Sequence, residues 1–132
     1  MASVRVKALL QAVAWTLFVI ILLSIPGKYV PSSRLWSYDK VGHVMLFFGL
    51  AFLWMRAFSA HNLRVILLIL VCGLAFAPLT EVYQGLLSSG RQADLYDSLA
   101  DAAGFALGTL AWILVERVRR KAKTNPEAED RP

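Results

Sequence analysis

Residues 97–115 read DSLADAAGFALGTLAWILV, and this stretch decides the fold. From Ser98 to Val115 the only charge is Asp101. The remainder is apolar or small, and the run is close to the ~20 residues that cross a bilayer core as a helix. On a helix turning 100° per residue, Asp97, Asp101, Gly104 and Gly108 fall within a stripe of about 60°. Gly104-x-x-x-Gly108 is the small-residue spacing that lets membrane helices approach closely. The acidic residues therefore continue a face expected to pack into a helix bundle.

Three further segments share this character. Ala8–Ile25 carries no charge, Val41–Met55 is interrupted only by His43, and Val65–Thr80 runs on through Glu81 to about Leu87. Pro26-Gly27 and Pro31 mark the first exit, and turns are expected at Ser59–Asn62 and Ser88–Gly90. The chain is 58% hydrophobic and 17% charged, with a mean hydropathy of +0.56. That balance points away from a nucleic-acid binder despite the net charge of +5. The expected fold is all-α, an integral membrane bundle of four transmembrane helices in one domain over residues 1–122. Residues 123–132 are polar with two prolines and read as a disordered cytoplasmic tail. Cys72 is the sole cysteine, which excludes an intrachain disulfide and a cysteine-based zinc site. The first segment starts basic, but its 18 apolar residues exceed a usual signal h-region and no A-x-A site follows, so a retained helix is expected.

Lys and Arg counted over alternate loops set the orientation. One side holds Arg5, Lys7, Arg56, Arg64, Arg117, Arg119, Arg120, Lys121, Lys123 and Arg131; the other holds Lys28, Arg34, Lys40 and Arg91. Ten against four places both termini in the cytoplasm by the positive-inside rule. The expected location is a cytoplasmic (inner) membrane, with the more polar helix ends facing the periplasm or exterior.

Those ends carry the chemistry. His43 is 13 residues from Arg56, Glu81 is 17 from Arg64, and Asp101 is 15 from Glu116. At about 1.5 Å per residue, all three sit roughly 20 to 25 Å above the inner boundary, in one layer under the outer interface. Ionisable groups in hydrocarbon cost about 2.5 kcal/mol or more each, so an inward, paired or functional placement is expected. Asp39 and Lys40 lie four and three residues before His43 and can share its helix face, or Asp39 caps that helix while Lys40 reaches head groups. Glu81 and Gln84 share a face one turn beyond Pro78, which either kinks the third helix or is simply tolerated. In the outer loop, Arg91 suits a phosphate or carboxylate, or else bridges to Asp94, Asp97 or Glu81. Asp94 or Asp97 is expected to cap the fourth helix.

In this order and at these spacings, the residues resemble the VanZ-like family of small bacterial membrane proteins. The matching pieces are Asp39-Lys40-x-x-His43, Glu81-x-x-Gln84, Gly90-Arg91, Asp97 and Gly104-x-x-x-Gly108, covering about Tyr38 to Leu110. Where the family commonly has asparagine, this chain has Asp101. The resemblance implies a cell-envelope setting, through the family's link to resistance to the glycopeptide teicoplanin, and it implies no reaction.

Two functions of different class follow. In one, the protein binds or processes a lipid head group or an anionic envelope intermediate. His43 and Glu81 then form a catalytic proton-transfer pair, and Asp39, Lys40, Gln84, Arg91, Asp97 and Asp101 bind the ligand. In the other, the same groups form a structural network in a non-catalytic accessory protein. A His/Asp/Glu metal site is a third reading, although the spacing matches no dedicated metal motif. Enzyme activity and cofactors stay open, membrane lipids are expected partners, and a homo-oligomer is compatible with the chain.

Overall fold

The computed structural model describes residues 2–25, 36–87 and 94–124, and it is all helical over them. Its elements are α1 (Ala2–Leu23), α2 (Trp36–Ala57), α3 (Leu63–Leu87) and α4 (Leu95–Thr124). Each of the four is long and apolar enough to cross a membrane. The helices overrun the apolar windows read from sequence, because intrahelical hydrogen bonding continues past the hydrocarbon into polar flanks. α2 begins at Trp36, before the expected Val41, and α4 continues past Val115 to Thr124. Lys123 and Thr124 are thus helical, whereas residues 125–132, the rest of the expected tail, lie outside the described residues. The turn expected at Ser88–Gly90 lies outside them too.

α4 packs most extensively against α2 and then against α3, while α1 lies mainly on α2. The α2–α4 contact is made through glycine. A Cβ on Gly104 would collide with the Val44 carbonyl, and one on Gly108 would collide with the Phe48 carbonyl and lie 2.9 Å from Ala51 Cβ. Backbone therefore meets backbone along this seam, which a larger residue would force apart. The Phe105 ring fills the space that a side chain at Gly73 would take, joining α4 to α3.

Around this seam, Val19, Leu23, Phe47, Leu50, Ala51, Ala77 and Phe105 form one apolar core, and Met55, Ala60 and Trp112 form a second. Large side chains such as Leu17, Ile21, Leu68, Val71, Leu110 and Leu114 point outward. This outward apolar surface is what a helix bundle presents to lipid, where association relies on packing and interhelical hydrogen bonds. Such bonds are present: Trp15 Nε1 donates to the Leu46 carbonyl at 3.0 Å, and Trp54 Nε1 to Thr16 Oγ1 at 3.0 Å.

The α2–α3 turn is closed by its own main chain. Ala60 N donates to the Met55 carbonyl at 2.9 Å while Ser59 adopts a left-handed φ of 47°. Asn62 Oδ1 then accepts from Arg64 N at 2.9 Å, capping the start of α3. Trp112 Nε1 reaches across from α4 to the Ala60 carbonyl at 2.9 Å and fixes the turn to the bundle. Pro78 lies within α3, which is one helix from Leu63 to Leu87.

Candidate functional site

α1 and α3 finish where α2 and α4 begin, and at this end the polar side chains converge. His43 from α2 and Asp101 from α4 meet directly, with Nδ1 2.9 Å from Oδ1, at 3% and 0% exposure. Glu81 from α3 joins them: one ligand atom from each of the three residues lies within 4.8 Å of the other two. The depth count had put the three in one layer; α2, α3 and α4 rotate them towards one another.

Their hydrogen bonds differ from the pairing expected from sequence. The sequence points to His43 and Glu81 as the proton-transfer pair, whereas the His43–carboxylate hydrogen bond described is to Asp101. Glu81 Oε2 instead accepts the main-chain N–H of Asp94 at 3.0 Å. Oε1 is buried and has no hydrogen-bond partner among the described residues, in a side chain only 5% exposed. Thr80, which sequence reasoning overlooked, is also buried here. Its hydroxyl donates to the Ala77 carbonyl at 2.7 Å and lies 3.4 Å from Asp101 Oδ2. Its position beside Glu81, on an apolar helix, was the available signal.

A second group forms the rim. Lys40 Nζ lies 2.8 Å from Asp97 Oδ1 and 3.4 Å from Asp94 Oδ2, with its side chain 26% exposed. It also sits 5.5 Å from the centre of the Tyr96 ring. Asp94, rather than Asp97, caps α4, since its Oδ1 accepts Tyr96 N at 2.8 Å. That N–H first, and the Lys40 ammonium with it, holds the Asp94 carboxyl below the ordinary aspartate range.

Gln84 faces elsewhere than its sequence partner Glu81. It is buried, and its Nε2 donates to the Leu23 carbonyl at 3.0 Å, tying α3 to the end of α1. Ser24 and Tyr83 bond through their hydroxyls at 2.9 Å along the same edge. The side chain of Asp39 and the whole of Arg91 lie outside the described residues.

At the opposite end of the bundle, His61 Nδ1 lies 3.2 Å from Glu116 Oε2, and Arg119 lies 3.4 Å from the other Glu116 oxygen. His61 is exposed, and the Arg119–Glu116 ion pair beside it is a surface contact of small energetic weight.

A family model for VanZ/LLP1 matches residues 4–116, from the start of α1 through most of α4. The chain belongs to the VanZ/LLP1 family. No curated protein and no solved structure matches it. For this VanZ-like protein, the matched region includes three whole spans, most of the fourth and every polar group of the cluster. The cluster offers an imidazole nitrogen and several carboxylate oxygens at one end of the membrane-spanning helices, with a lysine at its edge. Such a set can exchange protons, hold a cation, or hydrogen-bond a polar head group.

Proposed function

We propose that this VanZ-like membrane protein binds the head group of a lipid or an anionic, lipid-like envelope intermediate at the His43 end of its bundle. In this reading both termini are cytoplasmic and the site opens on the exterior side of the inner membrane. Glu81 carries the proposal. A structural network would satisfy its own members, because a buried unpaired acceptor costs about 1 to 3 kcal/mol and more when charged. Glu81 instead keeps Oε1 without a hydrogen-bond partner among the described residues, beside the His43–Asp101 contact. Lys40, partly exposed at the rim and shared with Asp94 and Asp97, is a cation beside the path of an approaching anion.

The orientation has support at the other end. Arg5, Arg56, Arg119, Arg120 and Lys123 line a cavity of about 300 Å³ there, suited to the anionic lipid heads of a cytoplasmic leaflet.

The structural reading has its own observation. Lys40, Asp94 and Asp97 pair with one another, and Gln84 ties two helices together. Purified protein in detergent, incubated with phosphatidylglycerol or phosphatidylcholine and weighed by native mass spectrometry, separates the two. Head-group binding predicts selective retention of the anionic lipid, reduced at least tenfold in the folded fraction of Glu81→Gln and Lys40→Met. Equal retention by wild type and both variants, or no selectivity at all, would overturn it in favour of the network.

A further inference from the structure

We propose that His43, Glu81 and Asp101 hold a divalent first-row metal ion, of the manganese or zinc kind, and that this ion receives the anionic head group. The inference rests on reading the cluster as a ligand site and names what that site contains.

Geometry is the first support. The three ligand atoms come from three helices and lie within 4.8 Å of one another. Metal–ligand bonds of about 2.1 Å put neighbouring ligands about 3 Å apart and opposite ones about 4.2 Å apart. His43 Nδ1 and Asp101 Oδ1, hydrogen-bonded at 2.9 Å, have the spacing of neighbouring ligands once an ion displaces the proton between them. Closing Glu81 from within 4.8 Å to the spacing of a neighbouring ligand takes a side-chain movement of up to about 2 Å on that scale.

Second, Glu81 is oriented for ligation without being consumed by it. The Asp94 amide holds Oε2, and Oε1 is left without a hydrogen-bond partner among the described residues although the side chain is 95% buried, being 5% exposed. An outer hydrogen bond such as that from the Asp94 amide to Glu81 Oε2 aims a carboxylate at a metal.

Charge is the third support. Among the described residues at this end, four carboxylates (Glu81, Asp94, Asp97, Asp101) meet one ammonium and one imidazole. Lys40 is engaged by Asp94 and Asp97, so the deeper pair, Glu81 and Asp101, has the imidazole as its described counterpart. An anionic head group entering this pair alone would meet repulsion. A divalent cation neutralises two carboxylates within a low-dielectric span and turns the same pocket into an anion acceptor. One nitrogen and two oxygen donors favour manganese or zinc over calcium or magnesium. Three protein ligands also leave a coordination position for a head-group oxygen.

The test uses purified full-length protein stripped with EDTA, exchanged into MnCl2 or ZnCl2, desalted and measured by elemental mass spectrometry. One ion per chain is expected in wild type and in His61→Ala, falling at least tenfold in Glu81→Gln and Asp101→Asn. In a separate titration without desalting, Mn²⁺ added at one equivalent should lose its hexa-aquo electron paramagnetic resonance signal with wild type and keep it with Glu81→Gln. No stoichiometric ion, or the same ion content in Glu81→Gln and Asp101→Asn, would overturn the metal site, the second result marking adventitious binding. Lipid retention weighed on the same samples keeps the two readings apart. Anionic lipid retained without metal ends the metal inference and leaves head-group binding standing, whereas stoichiometric metal without lipid selectivity upholds the site and removes its anionic ligand.

Discussion

Asp101 Oδ1 lies 2.9 Å from His43 Nδ1, between two helices that each belong inside a membrane. The carboxylate is a group able to form an ion pair with the imidazole, which a neutral amide could not. Removing one partner of such a buried pair costs about 3 to 5 kcal/mol, because the other is left stranded. Asp101→Ala should therefore lose about 3 kcal/mol or more in detergent unfolding. Asp101→Asn, which keeps a hydrogen-bonding oxygen, should lose less than half of that. Equal losses would show that the carboxylate charge contributes nothing to the contact.

The glycine seam makes a second prediction. Gly104→Ala and Gly108→Ala each place a methyl group against an α2 carbonyl, and overpacking of this kind costs about 1 to 3 kcal/mol. Gly42 has nothing within 4 Å of where its Cβ would stand, so Gly42→Ala should be neutral or stabilise α2 by up to about 1 kcal/mol. Thermal melts of the three variants check the contrast, which fails if Gly42→Ala is as harmful as the others.

Asp94 gives a pH dependence. Its carboxyl is held below the ordinary value of 3.8, chiefly by the Tyr96 N–H and also by Lys40. The stabilisation is present above the unfolded value and is lost as pH falls through the lower folded value. Asp94→Asn keeps a capping side chain and lacks the charge. The stability gap between wild type and this variant should be widest near neutrality and narrow below about pH 4. A gap that stays constant down to pH 3 would contradict the assignment.

Topology can be read with cysteines. Cys72 faces outward from α3 and is replaced by serine, and single cysteines are then introduced at Ser89 and Ala128. With both termini cytoplasmic, a membrane-impermeant maleimide added to intact cells should label position 89 and not 128. The reverse pattern would invert the protein.

Much of this architecture was legible in the sequence. Apolar length identifies the spans because the hydrocarbon core imposes it, and ionisable residues inside hydrocarbon are rare enough to mark a site unaided. Counting along each helix gives depth, which is why His43, Glu81 and Asp101 could be assigned to one layer. Partner choice depends on how each helix is rotated and seated, and residue counts carry little of that. Thus the Asp101 bond to His43, the Glu81 bond to the Asp94 amide and the Gln84 bond to Leu23 all came from packing. Thr80 was passed over because a hydroxyl in a membrane helix usually bonds its own backbone, which it also does here.

The glycine seam has a bearing on how the cluster forms. Gly104 lies three residues after Asp101, and its neighbour Val44 directly follows His43 in the chain. The spacing of the acid and the imidazole is therefore set by two main chains in contact, with no flexible side chain between them to take up slack. Such a junction behaves like a latch: it seats fully or leaves the two groups apart. Any probe of whether α4 has docked on α2 is then also a probe of whether the cluster exists, and a bilayer that prised these two helices apart would dismantle it without touching a single polar residue.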